Sequence, residues 1–176
     1  MKTFLSRALP ALAVATLLAA CGGGDEGFVV EEKAPSPSGI AATMSVAGAS
    51  GPDVAFNGGY STADIYLNNV TKVNPIGGSP ETCRFKFGNL PQTGNPSRGM
   101  TGDIRYVPGS LILNVAFVSI DGNEFSISGT TNTVTVDRTN NRVRFSAAQL
   151  TSTSNTGRSI VLTGDIPMRG DRPEGC

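Results

Sequence analysis

The sequence predicts an all-β protein, an antiparallel β-sandwich or small β-barrel of about nine short strands. Three observations lead there. Apolar and polar residues alternate with period two along several segments. Two pairs of such segments are joined by turn sequences that fix their register. Twenty-two glycines and eleven prolines punctuate the 176 residues, and no helical periodicity follows Ala20.

In chain order, residues 1–20 stand apart from that pattern. Lys2 and Arg7 charge the start, and Ala8 to Ala20 is an uncharged run rich in Ala and Leu, the shape of a signal peptide. Thirteen residues reach about 20 Å as a helix, short of the roughly 30 Å hydrocarbon core, so a cleaved leader is expected rather than a mature membrane span. Leu18, Ala19 and Ala20 before Cys21 resemble the lipobox of bacterial lipoproteins. That resemblance covers residues 1–21. It implies that the leader is removed and that Cys21 becomes the lipidated first residue. Gly22 in place of Asp after the cysteine implies the outer membrane, on its periplasmic leaflet more than on the cell surface. Two or three acyl chains give durable attachment, where one alone is marginal.

Residues 21–38 are expected to be a tether. The stretch is rich in Gly, Pro, Ser and acid, with one short apolar interruption at Phe28, Val29 and Val30, and such composition buries too little to offset its ordering entropy. Asp25, Glu26, Glu31 and Glu32 against Lys33 leave it at −3, while the remainder carries eleven basic and ten acidic residues. A flexible chain of this length reaches about 20 to 25 Å.

Residues 39–176 suit one domain. Ile40, Ala42, Met44 and Val46 alternate with small or polar neighbours, as do Met100, Ile104 and Tyr106, and Ile160, Leu162, Ile166 and Met168. Cys83, Phe85 and Phe87 share one strand face. Leu111 to Ile120 turns through Asp121-Gly122 into Asn123 to Ser128, with Val118 opposite Phe125 and Ala116 opposite Ile127. Thr133 to Asp137 returns through residues 138–141 into Arg142 to Ser146, with Val136 opposite Val143, Val134 opposite Phe145 and Asp137 opposite Arg142. The run from Leu111 to Val118 is apolar on both faces and is expected in a central, buried strand. Asn57-Gly58-Gly59, residues 74–80 and residues 90–96 read as loops.

With Cys21 lipidated, Cys83 and Cys176 remain as an even pair, which in an oxidising compartment reads as a disulfide. The sequence has no histidine, which removes the usual general base, the usual zinc ligand and every Ser-His or Cys-His nucleophile, and it has no Cys-x-x-Cys. No metal or other cofactor is expected. Asp121 to Glu124 supplies oxygen ligands without the spacing of an EF-hand and reads as a hairpin turn. Asp103 and Asp165 lie in a repeated Thr-Gly-Asp-Ile at 101–104 and 163–166, on the polar phase of their strands, where a solvated face beside arginines is expected rather than an acid pair. As four residues in a chain rich in Gly and Thr, the repeat is weak ground for a duplication. Arg138, Arg142, Arg144 and Arg158 form the basic cluster; a solvated strand face with cross-strand partners is the expected reading, and Arg138, Arg142 and Arg144 are the candidate patch for an anion or lipid headgroup. Nucleic acid is not an expected partner, because there is no basic excess and no aromatic interleaving.

These readings lead to an outer-membrane-anchored domain that acts as a non-catalytic binding or envelope-structural module. Its partner would be an envelope protein or a glycan. A periplasmic carrier with an apolar cavity and a carboxylate-based glycan enzyme are the alternatives.

Overall fold

The computed structural model describes residues 41–75, 80–155 and 157–176, so Cys21 and the tether lie outside the described residues. The strands are β1 (Ala42–Ala47), β2 (Gly58–Thr62), β3 (Tyr66–Leu67), β4 (Thr71–Val73), β5 (Thr82–Gln92), β6 (Asn95–Tyr106), β7 (Leu113–Ile120), β8 (Asn123–Ser128), β9 (Val134–Asp137), β10 (Arg142–Ser152) and β11 (Ser159–Pro167). β2, β3 and β4 are successive pieces along β5, and β8 and β9 are successive pieces along β10. The eleven segments therefore make eight staves. Each stave pairs antiparallel with the next in sequence, and β11 returns to β1, closing an eight-stranded up-and-down barrel.

The alternation places Met44, Tyr60, Phe85, Phe87, Met100, Ile104, Tyr106, Phe125, Phe145 and Leu162 inside, all at most 4% exposed. Both drawn hairpins occur in the expected register, including Val118 opposite Phe125, Val136 opposite Val143 and Asp137 opposite Arg142. Asp121 and Gly122 take φ of 49° and 77°, as a type I′ turn requires.

Three expectations are corrected. The strand after the Pro108-Gly109 turn starts at Leu113, not Leu111; Ser110 folds back onto Val107, and Leu111 and Ile112 project into solvent, 57% and 44% exposed. The loops at 57–59 and 90–96 are mostly strand, with only Thr93-Gly94 left between β5 and β6. Pro91 stands beside a register shift, where a missing N–H costs no ladder bond. No stave is central, because closure gives every stave two neighbours.

The repeated tetrapeptide occupies equivalent places. Phe87 faces Gly102 and Phe145 faces Gly164; Lys86 faces Asp103 and Arg144 faces Asp165. Each pair is followed by the same one-residue bulge, with Asn89 and Ala147 at φ of 56° and 52°. Register thus aligns Arg84-Phe-Lys-Phe with Arg142-Val-Arg-Phe, and Met100-Thr-Gly-Asp-Ile with Leu162-Thr-Gly-Asp-Ile. The two hairpins, β5–β6 and β10–β11, are related by a four-stave step around the barrel, which makes the repeat a structural one rather than a coincidence of composition.

Candidate functional site

Both ends of the barrel are stoppered by its own chain. At the end where β1 finishes, Gly51–Phe56 forms a 3₁₀ turn started by Pro52. Phe56 meets the Phe125 ring edge-on at 6.3 Å, and the Arg98 guanidinium lies 5.5 Å from the Phe56 ring centre. Gln92 Nε2 donates to the Ala55 and Asn57 carbonyls at 3.1 and 3.0 Å. The Tyr60 hydroxyl donates to the Phe56 carbonyl at 2.9 Å, and burial pushes its pKa up to about 12, so it stays a donor. Asp53, 2% exposed, is gripped by Arg158, which also donates to Asn123. Three strand connections thus hold one turn in place. Asp53→Ala is expected to accelerate amide exchange across residues 51–56 while leaving that of β5 and β6 unchanged; uniform acceleration would contradict an independent stopper.

At the opposite end, where the described chain begins, residues 168–176 fold under the barrel. Met168 is fully buried, and Cys176 is joined to Cys83, as the cysteine count predicts. Tyr106 donates to the Cys176 carbonyl at 2.9 Å; Gly109 N and Arg138 Nη1 both donate to the Gly175 carbonyl, at 2.7 and 3.1 Å. Arg172 bonds the Arg138 carbonyl at 2.8 Å and Asn141 Oδ1 at 2.7 Å.

The expected arginine cluster is dispersed, with Arg158 on Asp53 at the opposite pole. Arg144 pairs with Asp165 on the outer wall at 3.1 Å. Arg138 belongs to the tail stopper, with Arg172 beside it. No local signal in the sequence announces Arg172, because the disulfide and the tail fold bring it there. Arg142 lies across from Asp137, and its side chain makes no hydrogen bond among the described residues, its Nε being buried without a partner.

Asp103 and Asp165 both point outward, but three staves separate β6 from β11 in either direction, which puts the carboxylates on opposite sides of the barrel. Two carboxylates acting on one glycosidic bond must stand within about 10 Å of each other. Asp103 is 4% exposed and held by Arg84 at 2.6 Å and Arg105 at 3.0 Å. Burial pushes its carboxyl up, but the hydrogen bonds and charges of both arginines outweigh that and hold its pKa below the ordinary value. A carboxyl with a lowered folded pKa contributes stability above its unfolded pKa of about 3.9 and loses it as pH falls through the folded value. Asp103→Asn should therefore flatten the acid limb in denaturant midpoints taken from about pH 5 to 2; an unchanged slope would contradict this.

A surface depression of about 390 Å³ lies beside the exposed Leu111 and Ile112 and is lined by Thr130, Thr131, Asn132 and Val134. A smaller one, about 200 Å³, lies on the outer wall between Asn68, Thr71, Arg84 and Lys86. Among the described residues no group of carboxylates or cysteines is arranged to hold a metal ion. Comparison with protein-family models, with curated proteins and with solved structures gives no match.

Proposed function

We propose that this chain is an outer-membrane-anchored lipoprotein whose β domain is a non-catalytic binding or envelope-structural module that works through its outer surface. One observation carries the reading. The barrel is filled by its own aromatic side chains and stoppered at both ends, so contact with a partner falls to the wall, the rims and the loops. The filled interior favours this over a carrier of a small apolar ligand. The separation of Asp103 from Asp165 favours it over carboxylate-based glycan chemistry. Leu18-Ala-Ala-Cys21 supports the anchor, and an envelope protein or a glycan remains the partner class.

Cys21→Ser tests the anchor. Fatty-acid labelling should disappear, and the chain should remain at the inner membrane as an uncleaved precursor. Retained label or normal outer-membrane fractionation would overturn the reading.

A further inference from the structure

We propose that the pole of the barrel carrying the tail stopper is a membrane-facing surface that docks on anionic lipid headgroups, with Leu111 and Ile112 entering the interface. The proposal rests on the lipid-anchor reading for its setting, and three features of the structure converge on it.

The first is position. The described chain begins beside β1, whose first residues pair with the end of β11, so any tether from Cys21 arrives at this pole. The residues between Cys21 and Ala42, fully extended, span at most about 70 Å, and as a flexible chain about 25 Å. A tether of that length lets this pole reach the bilayer.

The second is charge. Residues 41–176 carry eleven basic and ten acidic side chains. The half around the 3₁₀ turn holds Arg98 and Arg158 against Asp53, Asp64, Asp121 and Glu124, a net −2, which leaves the half toward the tail at +3. The four-stave repeat shows where part of the excess arises. Arg84 grips Asp103, whereas its counterpart Arg142 has no carboxylate hydrogen-bonded to it, since Asp165 is taken by Arg144. Arg142 stands between Pro167 on one side and, on the other, Asp137, whose oxygens already accept from Asn140.

The third is apolar exposure. Leu111 and Ile112 are adjacent in sequence and 57% and 44% exposed. Their loop and Arg138 meet on one atom, the Gly175 carbonyl, and Val136 N donates to the Leu111 carbonyl. The apolar tip and the basic residues thus form one rigid surface. Exposed apolar side chains on the same pole as Arg138 and Arg142 fit the interface of a bilayer, where apolar area enters the acyl boundary and each basic residue gains from anionic headgroups. Of Glu81, Asp103, Asp137, Asp165, Asp171 and Glu174, the acids of this half, four sit in ion pairs, Glu81 with Lys72, Asp103 with Arg84 and Arg105, Asp165 with Arg144 and Asp171 with Arg169.

The test uses the mature chain, residues 21–176 with Cys21→Ser, secreted behind an ordinary leader so that no acyl group contributes. Sedimentation with phosphatidylglycerol-containing vesicles should show binding that phosphatidylcholine vesicles do not and that about 0.5 M salt abolishes. Leu111→Asp with Ile112→Asp should weaken it by about tenfold or more, and Arg142→Gln by about fivefold. Equal binding to both lipids, no binding, or indifference to these variants would overturn the proposal. So would a chain that binds only after Asp25, Glu26, Glu31 and Glu32 are neutralised, which would place the acidic tether on the pole. A vesicle-free dimer lost in the same variants would place a second copy there and overturn it too. Failure of the anchor shows separately, as an unacylated Cys21 in protein from the native host.

Discussion

Gly164→Ala is expected to destabilise the barrel by about 4 kcal/mol or more, enough to abolish a stable fold at growth temperature. Gly164 has φ of +140°, a backbone region closed to side chains, and a Cβ there would collide with the Thr43 carbonyl of β1 and crowd Met44 Cα at 2.8 Å. Backbone cannot move aside as a rotamer can. The collision falls on the β11–β1 pairing, the seam that closes the barrel, so relief by separation would open the sheet edge. Gly94 is the control. It also has a positive φ, +85°, but nothing stands within 4 Å of its Cβ position, so Gly94→Ala should cost only the conformational strain of about 1–2 kcal/mol. Thermal unfolding of the two variants should differ widely; similar losses would mean that closure at this seam is not as described.

Loss of the Cys83–Cys176 bridge is expected to cost about 2–5 kcal/mol. The linked residues are 93 apart in sequence, and the chain-entropy treatment puts the effect of closing so long a loop at the upper end of that range. The bridge also holds the tail stopper. Without it, Tyr106, Gly109 and Arg138 keep only single hydrogen bonds to the last two residues. Burial raises the Tyr106 pKa, with Arg172 and Arg138 pulling against it. Reduction, or Cys176→Ser, should therefore lower the urea midpoint, steepen its slope as the denatured chain loses its crosslink, and speed exchange at residues 107–112. An unfolding free energy within about 0.5 kcal/mol of the parent would show that the tail is held by its other contacts alone.

What the sequence makes legible follows from how local each feature is. The hairpins at 111–128 and 133–146 can be read with register, because a short turn fixes which residues face each other and the alternation fixes which face is inside. Closure is not legible. The seam pairs Thr43 with Asp165, more than a hundred residues away, and no period announces that contact. Leu111 and Ile112 mislead for a related reason: their apolarity matches the strand that follows, but the Pro108-Gly109 turn carries them outside it. Glycine and proline mislead at 57–59 and 90–96 because they mark bulges and close approaches inside strands as well as loops. The Thr-Gly-Asp-Ile repeat acquires meaning only from register, which shows Gly102 clearing space for the Phe87 ring, Gly164 admitting the β1 backbone at the seam, and each aspartate paired with arginine outside the barrel. Of the site residues, the Cys83–Cys176 pair follows from counting, Arg138 and Arg142 follow from clustering, and Arg172 follows from neither.

The measurement that bears most directly on the account is the native mass of the protein extracted from the membrane of its host. The expected species is a single chain that begins at Cys21, carries acyl groups there, lacks the two hydrogens of one disulfide and holds no small molecule. An unmodified Cys21, or an apolar molecule that survives purification inside the barrel, would contradict it.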